Sequence, residues 1–249
     1  QEVEQVSVAT GYAANPHDVV FLGDGRAYVT RHASNGAARE DDGADAGGDL
    51  LILDLVDMSV TGRIALSAED GFDPMPSRLV HLGDRVWVAL GHLARDYSAA
   101  GPGRLIGVDP ARDVVTSVVT LEGLENCGAI TADVDAQGVW VNCSGLFAEG
   151  EAAQVAASAL VYLREEGGGL VEQWRTSTSE SMGSPVAFSI APVGPHQAIF
   201  TVFGSLTAAT PDRLLWADAQ QRTVRELGVQ GSAFELGDLV LPSFEVDVV

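Results

Sequence analysis

The chain has 249 residues, enough for one large domain with a sizeable core, and 46% of them are apolar, which excludes disorder along the whole length. Its 14 basic residues, all arginine, stand against 35 acidic ones for a net charge of −21. The missing lysine excludes Schiff-base, P-loop and lysine-base chemistry, the acidity argues against nucleic-acid binding, and no apolar run reaches the roughly 18 residues of a membrane span.

In chain order, the first recurring unit runs from Asn15-Pro16-His17-Asp18 through an apolar stretch and a Gly23-Asp24-Gly25 turn to Ala27-Tyr28-Val29-Thr30. The pattern returns from Pro76 through Asp84 to Trp87, from Cys127 through Asp135 to Trp140, and from Pro185 through Pro195 to Phe200. A fifth copy opens at Leu241-Pro242-Ser243. The starts at 16, 76, 127, 185 and 242 are 60, 51, 58 and 57 residues apart. Each of the first four copies continues with two more apolar runs, such as Leu50–Leu55 followed by Val60–Leu66, and Leu105–Asp109 followed by Val114–Leu121. Four short strands per unit, joined by turn residues and lacking helical periodicity, predict an all-β propeller of four-stranded blades. The inner strands are expected to start near 17, 77, 128, 186 and 243, within a single propeller domain covering 1–249.

Ala27-Tyr28-Val29-Thr30-Arg31 and the Leu51–Asp54 and Val60–Ile64 strands resemble the YVTN-type bacterial β-propeller repeat, a relative of the WD40 and quinoprotein propellers. The later copies, Trp140-Val141-Asn142 and Phe200-Thr201-Val202, depart from that motif. The resemblance implies blades, and it leaves activity open because propellers host unrelated functions. Seven blades are usual in such proteins, whereas about four complete units plus partial terminal ones are found here. A fragment of a seven-bladed ring is therefore expected, with a five-bladed ring completed from both termini as the alternative. Val3 to Val8 alternate like the outer strand of a terminal blade.

The loops between second and third strands are long in three copies, at Arg31–Gly48, Gly91–Gly103 and Ser144–Ser158, and mark a candidate binding face. Strand ends at that mouth bring His17, Asp18, Arg31, His32, Arg78, His92, Asn126, Asn142 and Ser184 within reach of one another. Each also has a plain structural role open to it. Asp18 and Arg78 share a column of adjacent blades and suit an ion pair, and the histidines suit capping or solvated loop positions. The acidic loop Glu40–Asp49 offers Asp41, Asp42, Asp45 and Asp49 as oxygen ligands for calcium, or is simply a solvated loop; its spacing does not match an EF-hand. Trp87, Trp140, Trp174 and Trp216 fall within strands and are expected in the core. His81, in mid-strand, and His196, in a turn, receive no role. No G-x-S-x-G, C-x-x-C or G-x-G-x-x-G motif occurs.

Cys127 and Cys143 lie at the two ends of one hairpin and are either a bridge or two buried thiols. A turn closing at Asp135–Gly138 sets Cys143 opposite Ile130, so a bridge requires Cys127 to curl inward or meet a bulge. Two cysteines, strong acidity and an initial Gln1 fit an exported bacterial protein, periplasmic or extracellular, although a trimmed chain would also begin this way. Two functions remain open from sequence. One is a non-catalytic scaffold binding a protein or glycan through the longer-loop face; the other is a quinoprotein-like or calcium-dependent lactonase-like enzyme with its site at the central channel.

Overall fold

A computed structural model describes residues 5–9, 11–39, 43–66, 70–135, 137–181, 183–205 and 207–230. Sixteen strands form four antiparallel sheets, each of four consecutive strands in sequence order. The first sheet comprises β1 (Pro16–Phe21), β2 (Arg26–Ser34), β3 (Gly47–Asp54) and β4 (Ser59–Ala65). The second comprises β5 (Pro76–Leu82), β6 (Arg85–Leu90), β7 (Pro102–Asp109) and β8 (Val114–Glu125). The third holds β9 (Ala129–Ala132), β10 (Gly138–Ser144), β11 (Ser158–Glu166) and β12 (Gly169–Arg175). The fourth holds β13 (Val186–Gly194), β14 (Gln197–Val202), β15 (Asp212–Asp218) and β16 (Thr223–Gln230). These are propeller blades, and the inner strands begin within two residues of the positions that the repeat predicts. The fifth expected start, at 243, lies outside the described residues.

The blades stack face to face because the second and third strands of each carry apolar residues on both sides. Trp87, Leu105 and Leu121 of the second blade pack on Val139, Val141 and Val161 of the third. Tyr28, Leu50 and Ile52 meet Leu79, Val86 and Val88 across the first boundary. Trp140, Leu160 and Trp174 meet Val186, Phe200 and Leu215 across the last. Trp87 and Trp140 are fully buried and Trp174 nearly so, as expected; Trp216 is half-buried, with the Arg225 guanidinium 4.6 Å from its ring centre. On the outer side of the first blade, Val6 and Val8 pack against Ala27, Val29 and Leu53.

One backbone device recurs where the inner strands begin. Asn15, Met75 and Asn126 all adopt left-handed φ values, 48°, 47° and 52°. Their carbonyls accept the N–H groups of His32 (3.1 Å), Gly91 (2.9 Å) and Ser144 (3.1 Å). Each bond ties the start of a blade's first strand to the end of its second and fixes the mouth at one height in three blades. Asn tolerates this conformation well, whereas Met75 holds it against steric cost.

At the opposite face, the hairpin turns lock each blade to the next. Arg26 Nη1 lies 2.8 and 2.7 Å from the two carboxylate oxygens of Asp113, and the Tyr28 hydroxyl donates to the same carboxylate. Arg85 pairs with Glu165 at 3.4 Å, and His196 lies against Asp133 at 3.2 Å. The long loop of the third blade carries a helix absent from the sequence reading, α1 (Glu151–Ala156). Six residues are too few to display a helical period.

Candidate functional site at the axial mouth

The four inner strands converge on an axial cavity of about 550 Å³ that opens on the long-loop face. Its described walls come from all four blades: His17 and His32 from the first, Arg78 and Leu93 from the second, Asn126, Leu146 and Phe147 from the third, and Phe188 from the fourth. A second cavity of about 320 Å³ shares Arg78 and Phe188 with it and continues along the inner strands past Asp18, Val80, Ile130 and Ile190.

The mouth combines apolar walls with a few polar groups. Phe147 and Phe188, both substantially exposed, pack edge-on against the buried Phe203 at 5.4 Å each. Tyr97 stands on the rim, 52% exposed, with φ of 60°. His17 and His32 stack with ring centres 4.1 Å apart and planes 16° from parallel. His32 Nδ1 donates to the Pro76 carbonyl (3.3 Å), which leaves Nε2 as the acceptor nitrogen. The Asn15 amide contacts His17 Nε2 at 3.1 Å, and His17 Nδ1 meets the Ser77 hydroxyl at 3.1 Å. Burial, and then its neighbour His17, pulls the His32 imidazole down to about 4. Burial and the Arg78 charge also lower His17, while Asp18 acts in the other direction. Both rings are therefore neutral at pH 7 and offer hydrogen bonds without net charge.

Of the residues expected to meet here, His17, His32, Arg78 and Asn126 do so. Asp18 lines the second cavity, and it reaches the next blade through the Leu79 N–H (3.0 Å) instead of the Arg78 guanidinium. Four others point elsewhere. Arg31 is fully buried and grips Asp49 with two bonds of 2.8 and 2.7 Å, so it belongs to the core of its blade. His92 is fully buried, its two ring nitrogens on the Pro102 carbonyl (2.8 Å) and Asp70 (3.0 Å). Asn142 donates from inside the third blade to the Ala187 carbonyl of the fourth (2.7 Å). Ser184 accepts a bond from Arg213 (2.6 Å).

The acidic loop is also largely committed. Asp49 has no exposed side-chain surface and receives Arg63 (2.7 Å) as well as Arg31, and Asp45 accepts the Arg39 N–H (3.0 Å). Asp41 and Asp42 lie outside the described residues, and the calcium expectation for this loop rests on them.

Cys127 and Cys143 form a disulfide with an S–S distance of 2.05 Å. The register differs from the expected ladder. Val141 pairs with Ile130 and Asn142 with Ala129, which sets Cys143 opposite Gly128, beside Cys127. The hairpin closes earlier than expected because the Asp133 N–H already bonds the Gly138 carbonyl (2.9 Å), so no inward curl is required. The bridge fixes the strand ends that carry Asn126 and Leu146 to the cavity.

Leu93, Tyr97, Leu146 and Phe147 were missed by the sequence reading. Their signal was apolar and aromatic character inside long loops that are otherwise polar.

No family model matches the sequence, and no curated protein does. Solved structures do. A hydrazine synthase from Kuenenia stuttgartiensis aligns with a TM-score of 0.55 at 13% identity, covering 91% of this chain and 53% of that one. The dihydro-heme d1 dehydrogenase NirN aligns with a TM-score of 0.55 at 13% identity over 89% of this chain and 39% of that chain. The Dos1 propeller gives 0.53 at 14% identity, over 85% and 46%. The fold is a β-propeller. At such identities the likeness concerns the fold alone, and the chain spans about half the length of these structures or less. Among the described residues, no helix is long and apolar enough to cross a membrane.

Proposed function

We propose that this chain is a non-catalytic binding propeller that takes part of a glycan or protein partner into the axial mouth on its long-loop face. The observation that carries this reading is the cavity of about 550 Å³, concave and mostly apolar, with a few polar groups from different blades converging on it. Exposed rings of Tyr97, Phe147 and Phe188 offer flat faces for a sugar ring or an apolar side chain. The neutral imidazoles of His17 and His32 and the Asn126 amide supply hydrogen bonds suited to hydroxyl and amide groups. A concave site of this size favours a sugar residue or protruding side chain over a flat protein surface.

The enzyme reading has less support. Asp18 is the carboxylate among the described channel-lining residues, and its oxygens already accept the N–H groups of Val19 (2.9 Å) and Leu79 (3.0 Å). The repeat spacing and the Tyr28-Val29-Thr30 strand support kinship with the YVTN-type propellers, and the disulfide is compatible with an exported protein. A thermal-shift screen of the purified chain against mono- and oligosaccharides and short peptides tests the proposal. Hits should be lost in Ala148→Trp, which narrows the mouth from an exposed loop position. Hits that bind Ala148→Trp as tightly as the wild type would overturn it.

A further inference from the structure

At the face opposite the cavity, the boundary between the third and fourth blades gathers Asp133, Asp135 and His196, with one ligand atom from each lying within 4.8 Å of the others. The two aspartates come from the turn between β9 and β10, and His196 comes from the turn between β13 and β14. His196 holds a left-handed φ of 60°, which costs energy for a non-glycine residue.

Hydrogen bonding around the ring determines which nitrogen faces outward. Asp133 is fully buried on its side chain; its Oδ2 accepts the His196 N–H (2.9 Å) and the Tyr162 hydroxyl (3.0 Å). The Tyr162 oxygen also lies 2.7 Å from His196 Nδ1. A phenol has one hydrogen, and here it goes to Asp133, so the contact with Nδ1 requires the ring to donate. Nδ1–H therefore points inward, to Tyr162 and to Asp133 at 3.2 Å, and Nε2 points outward. In that direction stands Asp135 Oδ2 at 4.0 Å, while Asp135 Oδ1 accepts the Gln137 N–H (3.0 Å). A neutral ring would set its Nε2 lone pair against that carboxylate oxygen, an unfavourable pairing that a proton or a metal cation between them relieves. A buried carboxylate behind one imidazole nitrogen, with the other nitrogen directed outward, is the arrangement that orients histidine metal ligands.

We propose that His196 Nε2 and Asp135 Oδ2 bind a divalent transition-metal ion of the zinc class between the third and fourth blades, with Asp133 as a positioning residue behind His196. Mixed imidazole and carboxylate donors suit zinc, manganese or nickel better than calcium, which prefers oxygen alone. Zinc bonds of about 2.0–2.2 Å at a tetrahedral angle need the two donors about 3.4 Å apart, so the 4.0 Å separation must close by about 0.6 Å on binding.

Isothermal titration of the purified chain with Zn²⁺ tests this site. One Zn²⁺ per chain is expected, with binding lost by tenfold or more in both His196→Gln and Asp135→Asn. Asp133→Asn should weaken it by about tenfold to a hundredfold. Mn²⁺ added to histidine-labelled protein supplies a readout that needs no variant, because it should broaden the His196 ring resonances before those of His17, His32 and His81. Absence of stoichiometric Zn²⁺ binding, retention of wild-type affinity in either ligand variant, or first broadening at another histidine would each overturn the proposal.

Discussion

At the long-loop face the blade ends part around a cavity of about 550 Å³, whereas at the short-turn face side chains pin the same blades together at each described boundary. Histidine shows the contrast most clearly. At the mouth, His17 and His32 are stacked and neutral; at the other face, His196 is framed by two carboxylates. The repeat places a polar residue near a strand end in both cases, and the packing around it decides whether it lines the cavity or joins two blades.

The sharpest way to break this comparison is to remove the framework that holds the mouth. Asp49→Ala removes the carboxylate that pairs with the fully buried Arg31 and with Arg63, and should cost about 3–5 kcal/mol in urea denaturation, because the buried guanidinium loses the anion it faces. A loss below about 1 kcal/mol would mean that the pair contributes little to the first blade.

The disulfide comes next. Replacing both Cys127 and Cys143 by Ser opens a loop of sequence separation 16, and should lower stability by about 3 kcal/mol in the chain-entropy description. Thiol titration of the denatured, unreduced wild type should find no free thiol, and two thiols would contradict the bridge.

A smaller effect sharpens the difference between the histidines. His32 has a folded value of about 4, below its ordinary 6.5, because burial disfavours the charged ring. The folded state thus binds fewer protons than the unfolded chain in that window. The resulting stability is complete above pH 6.5 and is lost as the pH falls toward 4. Between pH 7 and 4.5, His32→Gln should therefore lose less stability than the wild type. Equal losses would place His32 in a solvated setting. The weakest expected effect is at the partly exposed locks of the other face, where Arg85→Gln should cost less than about 1 kcal/mol.

Strand order and blade boundaries were readable in sequence because proline entries, Gly/Asp turns and apolar alternation recur in register. The mouth was only half readable. Position within a repeat gives a residue's height along the blade, and His17, His32, Arg78 and Asn126 converge for that reason. Height does not say toward which face a side chain points. Arg31 and Asn142 sit at the expected level yet turn into the sheets, where Asp49 and the Ala187 carbonyl receive them. Asp49 looked like a cation ligand because its arginine partners, Arg31 and Arg63, come from other strands of the blade, whereas Asp45 is met by Arg39 of its own loop. Phe188 was hidden in an inner strand, and only the convergence of four blades exposes its role at the cavity.

Binding at the axial mouth is most directly tested by nuclear magnetic resonance of histidine-labelled protein during titration with a hit from the saccharide and peptide screen. The five histidines divide usefully, since His17 and His32 line the cavity while His81 and His196 lie away from it. Saturable shifts of the His17 and His32 ring resonances, with His81 and His196 unmoved, are the predicted result. Shifts at His81 or His196 with His17 and His32 unchanged would contradict the account.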